Sequence, residues 1–83
     1  MTILTRFAVF PDGDTQETDY ALQINQLVNL NGIPFTSPPR TSRTIAYRVT
    51  RKSTKEQRGE INEYYYLELV TRRELASEFG LRD

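Results

Sequence analysis

The sequence predicts a small α+β domain of order β-α-β-β-α, with two helices packed on one face of a three-stranded, mostly antiparallel sheet. Two observations carry this prediction. Apolar side chains repeat with a period of two in three segments and with a helical period in two others. Proline, glycine, asparagine and helix-capping residues separate these segments. A chain of 83 residues supports one domain, residues 1–83.

The first strand and the first helix are predicted next to each other in the chain. The strand covers residues 2–10, and its inward face carries Ile3, Phe7 and Val9, with Arg6 on the other face. The helix covers residues 14–30, with Asp14 and Glu17 in its first turn and an apolar stripe of Tyr20, Ile24, Leu27 and Val28. A strand over residues 22–30 is the alternative, which the helical spacing disfavours.

The second half of the chain predicts an antiparallel hairpin and a terminal helix. Strands are expected over residues 44–52 and 60–70, joined by a long basic tip at residues 53–59. In the first strand, one face carries Ile45, Tyr47 and Val49 and the other Arg48, Thr50 and Lys52. In the second strand, Tyr64 and Tyr66 alternate with Tyr65 and Leu67. Thr71 and Glu74 form a capping box for a helix over residues 72–79.

The apolar faces of these elements predict one hydrophobic core. Its expected members are Phe7, Val9, Ile24, Leu27, Ile45, Val49, Leu67, Leu69, Leu75 and Phe79. The apolar fraction of 37% is low for a globular chain, so the core is thin. Thin cores are often completed by a partner or a second copy of the chain.

Charge is balanced overall but unevenly distributed along the chain. Residues 1–39 carry a net charge of −3, residues 40–58 carry +6 and residues 59–83 carry −3. The basic middle segment predicts a local positive field, although a neutral chain does not hold polyanions by bulk charge. The chain has no cysteine, no signal-peptide pattern and no apolar run of membrane-spanning length, so we expect a cytoplasmic protein that does not enter a membrane.

The residue types exclude several common kinds of catalytic site. Without histidine or cysteine, one chain cannot build a Ser-His-Asp triad, a Cys-His pair or a histidine-ligated metal site. The four glycines form no phosphate-binding loop. Asp12 and Asp14 lack the spacing of a calcium loop and are interpreted as turn and helix-cap residues. We therefore expect no catalytic residue, no metal site and no cofactor.

The hairpin is the predicted binding site, because charge and aromatic surface coincide there. If one face of the sheet packs under both helices, the other face should show Arg6, Arg48, Tyr64 and Tyr66. The predicted partner-binding residues are Arg48, Arg51, Lys52, Lys55, Tyr64 and Tyr66.

These residues lead to three hypotheses of function. The first is a non-catalytic adaptor, regulator or assembly accessory that binds another protein or its own copy. The alternative is a module for single-stranded RNA or DNA, similar in logic but not in sequence to sheet-based RNA binders such as the RRM. An enzyme ranks third.

Overall fold

A computed structural model describes residues 2–81, which form five strands and one helix. The elements are β1 (Ile3–Val9), β2 (Thr15–Thr18), β3 (Leu27–Val28), β4 (Tyr47–Gln57), β5 (Glu60–Leu69) and α1 (Arg72–Phe79). The strands form one mixed sheet in the order β2-β1-β5-β4-β3. The β1–β5 pair is parallel and the other three pairs are antiparallel.

The predicted α+β fold with a three-stranded sheet and two helices is wrong, because residues 14–30 form strands and turns. The Asp12 carboxylate accepts a hydrogen bond from the Asp14 amide at 2.9 Å, which closes a turn where a helix cap was expected. The chain then returns as β2 along β1. Further on, Asn25 has a φ of 74°, a left-handed conformation that a continuing α-helix does not contain.

The β4–β5 hairpin is present, but it is longer and its turn is tighter than predicted. Residues 53–57 belong to β4 and pair with β5, so the expected long tip is strand. The turn consists of Arg58 and Gly59, with φ values of 42° and 80°. Positive φ at both positions is typical of the two-residue turn that suits the twist of a hairpin.

One hydrophobic core lies on one face of the sheet, which we call the first face, beneath the segment that joins β2 to β4. Its buried residues are Ala8, Phe10, Leu22, Val28, Val49, Tyr65 and Leu67. Gly32 is buried against it with a φ of 77°, and a Cβ there would lie 3.6 Å from the Ala8 Cβ. The joining segment therefore covers the central strands, which was the role predicted for the first helix.

A second, smaller core lies on the opposite face, because Ala46 alternates along the chain with Tyr47. There Leu75 of α1 packs on Ala46 and Val70, with Leu27, Phe35, Phe79 and Leu81 at its margin. The capping box of α1 is formed as predicted. The two cores place the helix over one end of the sheet and leave the other end to the hairpin.

The predicted core is partly wrong. Val49, Leu67 and Leu75 are buried, and Phe7, Val9, Leu27 and Phe79 are partly buried. Three expected members are about half exposed: Ile24 at 50%, Ile45 at 52% and Leu69 at 54%.

The register of β5 is confirmed, whereas the faces of β1 are reversed. Leu67 is 3% exposed and Tyr66 lies on the other face. In β1, Ala8 enters the first core, while Phe7 lies beside Tyr64 on the opposite face. Alternation in β1 was compatible with either assignment, and its pairing with the distant β5 decides between them.

Candidate functional site

Aromatic and basic side chains from β1, β5 and β4 meet on the second face of the sheet, beside the part that α1 covers. The Phe7 and Tyr64 rings are stacked, with centroids 5.3 Å apart and planes 17° apart. The Arg51 guanidinium lies 4.1 Å from the centroid of Tyr66, and the Lys55 ammonium lies 5.7 Å from that of Tyr64. We call these five residues, Phe7, Arg51, Lys55, Tyr64 and Tyr66, the aromatic face.

A β-bulge in β4 decides which basic residues reach the aromatic face. Val49 pairs with Leu67 and Arg51 with Tyr66, so Thr50 is an extra residue between two consecutive pairs. The Thr50 hydroxyl donates a hydrogen bond of 3.2 Å to the Tyr66 carbonyl oxygen. The bulge reverses the alternation that the sequence predicts, and Arg51 joins the aromatic face.

Alternation predicted Arg6 and Lys52 on the same face as Arg48. This prediction is wrong, because both side chains lie on the first face, around Glu63. The Arg6 Nε atom lies 3.3 Å from Glu63 Oε2, and the Lys52 Nζ atom lies 3.9 Å from Glu63 Oε1. The Tyr65 hydroxyl donates a 2.7 Å hydrogen bond to Glu63 Oε2. Buried Arg6 Nε has no well-directed hydrogen bond within residues 2–81, so its contact with Glu63 is an ion pair without a directed bond.

This cluster shifts the pKa of two of its groups. The hydrogen bond from Tyr65 lowers the pKa of the Glu63 carboxyl; burial opposes this, and the charges of Lys52 and Arg6 lower it further. Burial raises the pKa of the Tyr65 phenol, and its hydrogen bond to the Glu63 carboxylate raises it further. Glu63 is therefore held ionised and Tyr65 neutral, which suits a structural cluster at the margin of the first core.

Arg48 is separated from the other predicted binding residues by its contacts with α1 and the joining segment. Its guanidinium forms an ion pair with Glu78 of α1 and donates a 3.0 Å hydrogen bond to the Asn25 carbonyl oxygen. Of the six predicted residues, the structure brings together Arg51, Lys55, Tyr64 and Tyr66. Lys52 and Arg48 lie in two different ion-paired clusters.

Phe7 is the residue of the aromatic face that sequence reasoning missed. It was assigned to the core, whereas it is partly buried against Tyr64. Only the parallel pairing of β1 with β5 brings the two rings together, and no local pattern indicates that pairing.

The aromatic face carries charges of both signs. Glu17 lies opposite Phe7 across the β1–β2 pair, and Glu68 follows Tyr66 by two residues along β5. Both carboxylates therefore share the face with Arg51 and Lys55. The face is consequently amphipathic and close to neutral.

Residues 2–81 contain neither a cluster of metal-ligating side chains nor a helix that could span a membrane. Within that range, no group of three or more His, Cys, Asp or Glu residues is arranged to hold a metal ion. The described helix is too short and too polar to cross a bilayer.

Comparison with known proteins gives one match, to a protein family. No curated protein and no solved structure matches the chain. The profile of the family described as "Uncharacterised Treponema protein" matches residues 2–78, and the chain belongs to that family.

Proposed function

We propose that this protein is a small non-catalytic binding protein, an adaptor or assembly accessory, whose aromatic face contacts another protein. The observation that best supports this proposal is the arrangement of rings and cations on the aromatic face. Phe7 stacks on Tyr64, Lys55 lies over Tyr64, and Arg51 lies over Tyr66. Tyrosine, phenylalanine and arginine are enriched at protein interfaces, and arginine and tyrosine are frequent among the residues that dominate binding energy. Rings already held by neighbours lose little conformational freedom on binding.

The geometry of the rings favours a protein partner over nucleic acid. A base stacks on the face of an aromatic ring, and cations already lie over Tyr64 and Tyr66. Binding to a phosphate backbone also requires several arginine or lysine side chains that are free to pair with phosphates. Arg48 and Lys52 are instead paired with Glu78 and Glu63.

The experiment compares two tyrosine variants with the wild type in a capture assay, using lysate of the cells that naturally produce the protein. Tyr66→Ala removes a ring of the aromatic face, and Tyr20→Ala removes a ring that is 46% exposed elsewhere on the surface. We expect a discrete protein to be retained by the wild type and by Tyr20→Ala and to be lost with Tyr66→Ala. Equal retention by all three would contradict the proposal.

A second arm tests the nucleic-acid alternative with a fluorescent single-stranded oligonucleotide of mixed sequence. Non-specific binders have Kd values of about 10⁻⁴–10⁻⁶ M at physiological salt. We expect no saturable change in anisotropy in that range of protein concentration. Saturable binding that weakens steeply with salt, with a shallower salt dependence in Arg51→Ala or Lys55→Ala, would favour the nucleic-acid function instead.

A further inference from the structure

The outer edge of β4 is paired over only a small part of its length. β4 spans Tyr47–Gln57, but β3 pairs only with Tyr47 and Arg48. The next residue, Val49, is bonded through its amide and carbonyl to the backbone of Gln26 and Asn25, at 3.0 and 2.8 Å. Beyond it, residues 50–57 have no strand partner on this side among residues 2–81.

An unpaired strand edge offers backbone donors and acceptors to another extended chain. The charges on this edge select what can pair with it. Residues 50–57 contain three bases, Arg51, Lys52 and Lys55, and one acid, Glu56, and they stay net positive even when Lys52 is counted together with its ion-pair partner Glu63. Two copies of the edge therefore repel each other, whereas an acidic strand is attracted.

We propose that residues 50–57 bind an extended acidic peptide segment of the partner protein as a sixth strand of the sheet. This inference rests on the proposed function and adds to it the partner's chemistry and its mode of binding. Strand addition places alternate peptide side chains on the aromatic face, next to Arg51, Ser53 and Lys55. Ser53 has the smallest of these three side chains and pairs with Tyr64, so we expect an apolar side chain of the peptide to lie next to it.

The positions of the bases dictate a spacing of acidic residues in the peptide. Within residues 50–57, Arg51 and Lys55 are the two bases that lie four apart, and no two bases lie five apart. Residues four apart on a strand share a face, so two acids at this spacing meet Arg51 and Lys55 together, in either strand direction. The predicted recognition pattern is two acids four residues apart with an apolar residue midway.

The probe is a synthetic nine-residue peptide of valine and threonine with glutamates at its third and seventh positions. The control peptide has the same composition, with glutamates at the third and eighth positions. We expect the first peptide to bind the full-length protein at least about tenfold more tightly, the effect of about 1.4 kcal/mol. Arg51→Ala and Lys55→Ala should abolish this preference, and Arg40→Ala, which changes an exposed base outside β4, should preserve it.

Backbone pairing is tested separately with N-methylated versions of the first peptide. In an added strand, alternate amides face the sheet edge, so methylating one alternate set should abolish binding and methylating the other should not. Equal affinity of the two glutamate peptides, equal effects of the two methylation patterns, or no binding at all would overturn the inference. The Tyr66 and Tyr20 capture assay decides independently whether the proposed function stands.

Discussion

Glu63 connects three side chains on the first face of the sheet. Its carboxylate accepts a hydrogen bond from the Tyr65 hydroxyl and faces the charges of Arg6 and Lys52. Tyr65 is fully buried, and a buried hydroxyl without an acceptor costs about 1–3 kcal/mol. Glu63 thus allows the hydroxyl of a core tyrosine and the partly buried Arg6 side chain to lie beside apolar residues.

Glu63→Gln tests this role through the pH dependence of stability. The folded-state pKa of Glu63 is lowered, so its contribution is present above the unfolded-state pKa and is lost as pH falls through the folded-state pKa. The glutamine variant lacks this titration. We expect it to be about 1 kcal/mol less stable than the wild type at neutral pH, because glutamine keeps an acceptor for Tyr65 but loses the charge.

Urea unfolding from about pH 7 down to about pH 2 measures the free energy of unfolding across this titration. The wild-type and Glu63→Gln curves should converge as the pH falls. Glu60→Gln, an exposed change on the same strand, controls for the loss of one negative charge. Wild-type and Glu63→Gln curves that stay parallel through the acid range would contradict the account of the cluster.

At the scale of elements, segments with strong local signals were predicted well. The capping box and Gly80 predicted α1 with its observed bounds, and alternation predicted the β4–β5 hairpin. Residues 14–30 were misassigned because β2 is stabilised by pairing with β1 and β3 by pairing with β4. The helix prediction was based on the apolar stripe. The segment also contains residues that disfavour a helix, namely Thr15, Thr18 and Asn25.

Thr71→Ala tests how much the cap contributes to α1. The Thr71 hydroxyl oxygen accepts a hydrogen bond from the Glu74 amide at 3.1 Å, and the Glu74 carboxylate accepts one from the Thr71 amide at 3.4 Å. Losing the capping hydroxyl should lower the free energy of unfolding by about 1 kcal/mol. The increase in amide hydrogen-exchange rate should be largest in α1, because the first turn of the helix loses an acceptor for its amides.

Ser77→Ala is the matched control, since it changes an exposed residue inside the same helix. Alanine favours the helix at such a position, so this variant should be as stable as the wild type or slightly more stable. A cost for Thr71→Ala no larger than that for Ser77→Ala would show that the cap does not hold the helix.

At the scale of the whole molecule, the sequence predicted the hairpin strands of the candidate site and the faces of β5, but not the faces of β1 or of β4 beyond Thr50. Alternation in β5 correctly placed Tyr64 and Tyr66 together. The faces predicted from alternation in β4 are wrong beyond Thr50, where the β-bulge lies. Residues 50–57 are all polar, so their pattern does not indicate the bulge. The stacking of Phe7 on Tyr64 required a pairing between the two ends of the chain.

The molecule is elongated, 49 × 23 × 17 Å, and we propose different roles for its two ends. The cores and α1 gather around the start of β4, where Tyr47 and Ala46 are covered. The aromatic face and the unpaired edge of β4 extend from there towards the turn at Arg58 and Gly59. The proposed binding surface and the packed cores therefore occupy different lengths of the same hairpin.

The most direct test of the binding account is photo-crosslinking in the producing cells. A benzophenone amino acid replaces Tyr66 in one variant and Tyr20, exposed outside the aromatic face, in the other. We expect a protein adduct of discrete mass at position 66 and none at position 20. Adducts to nucleic acid at position 66, or the same products at both positions, would contradict it.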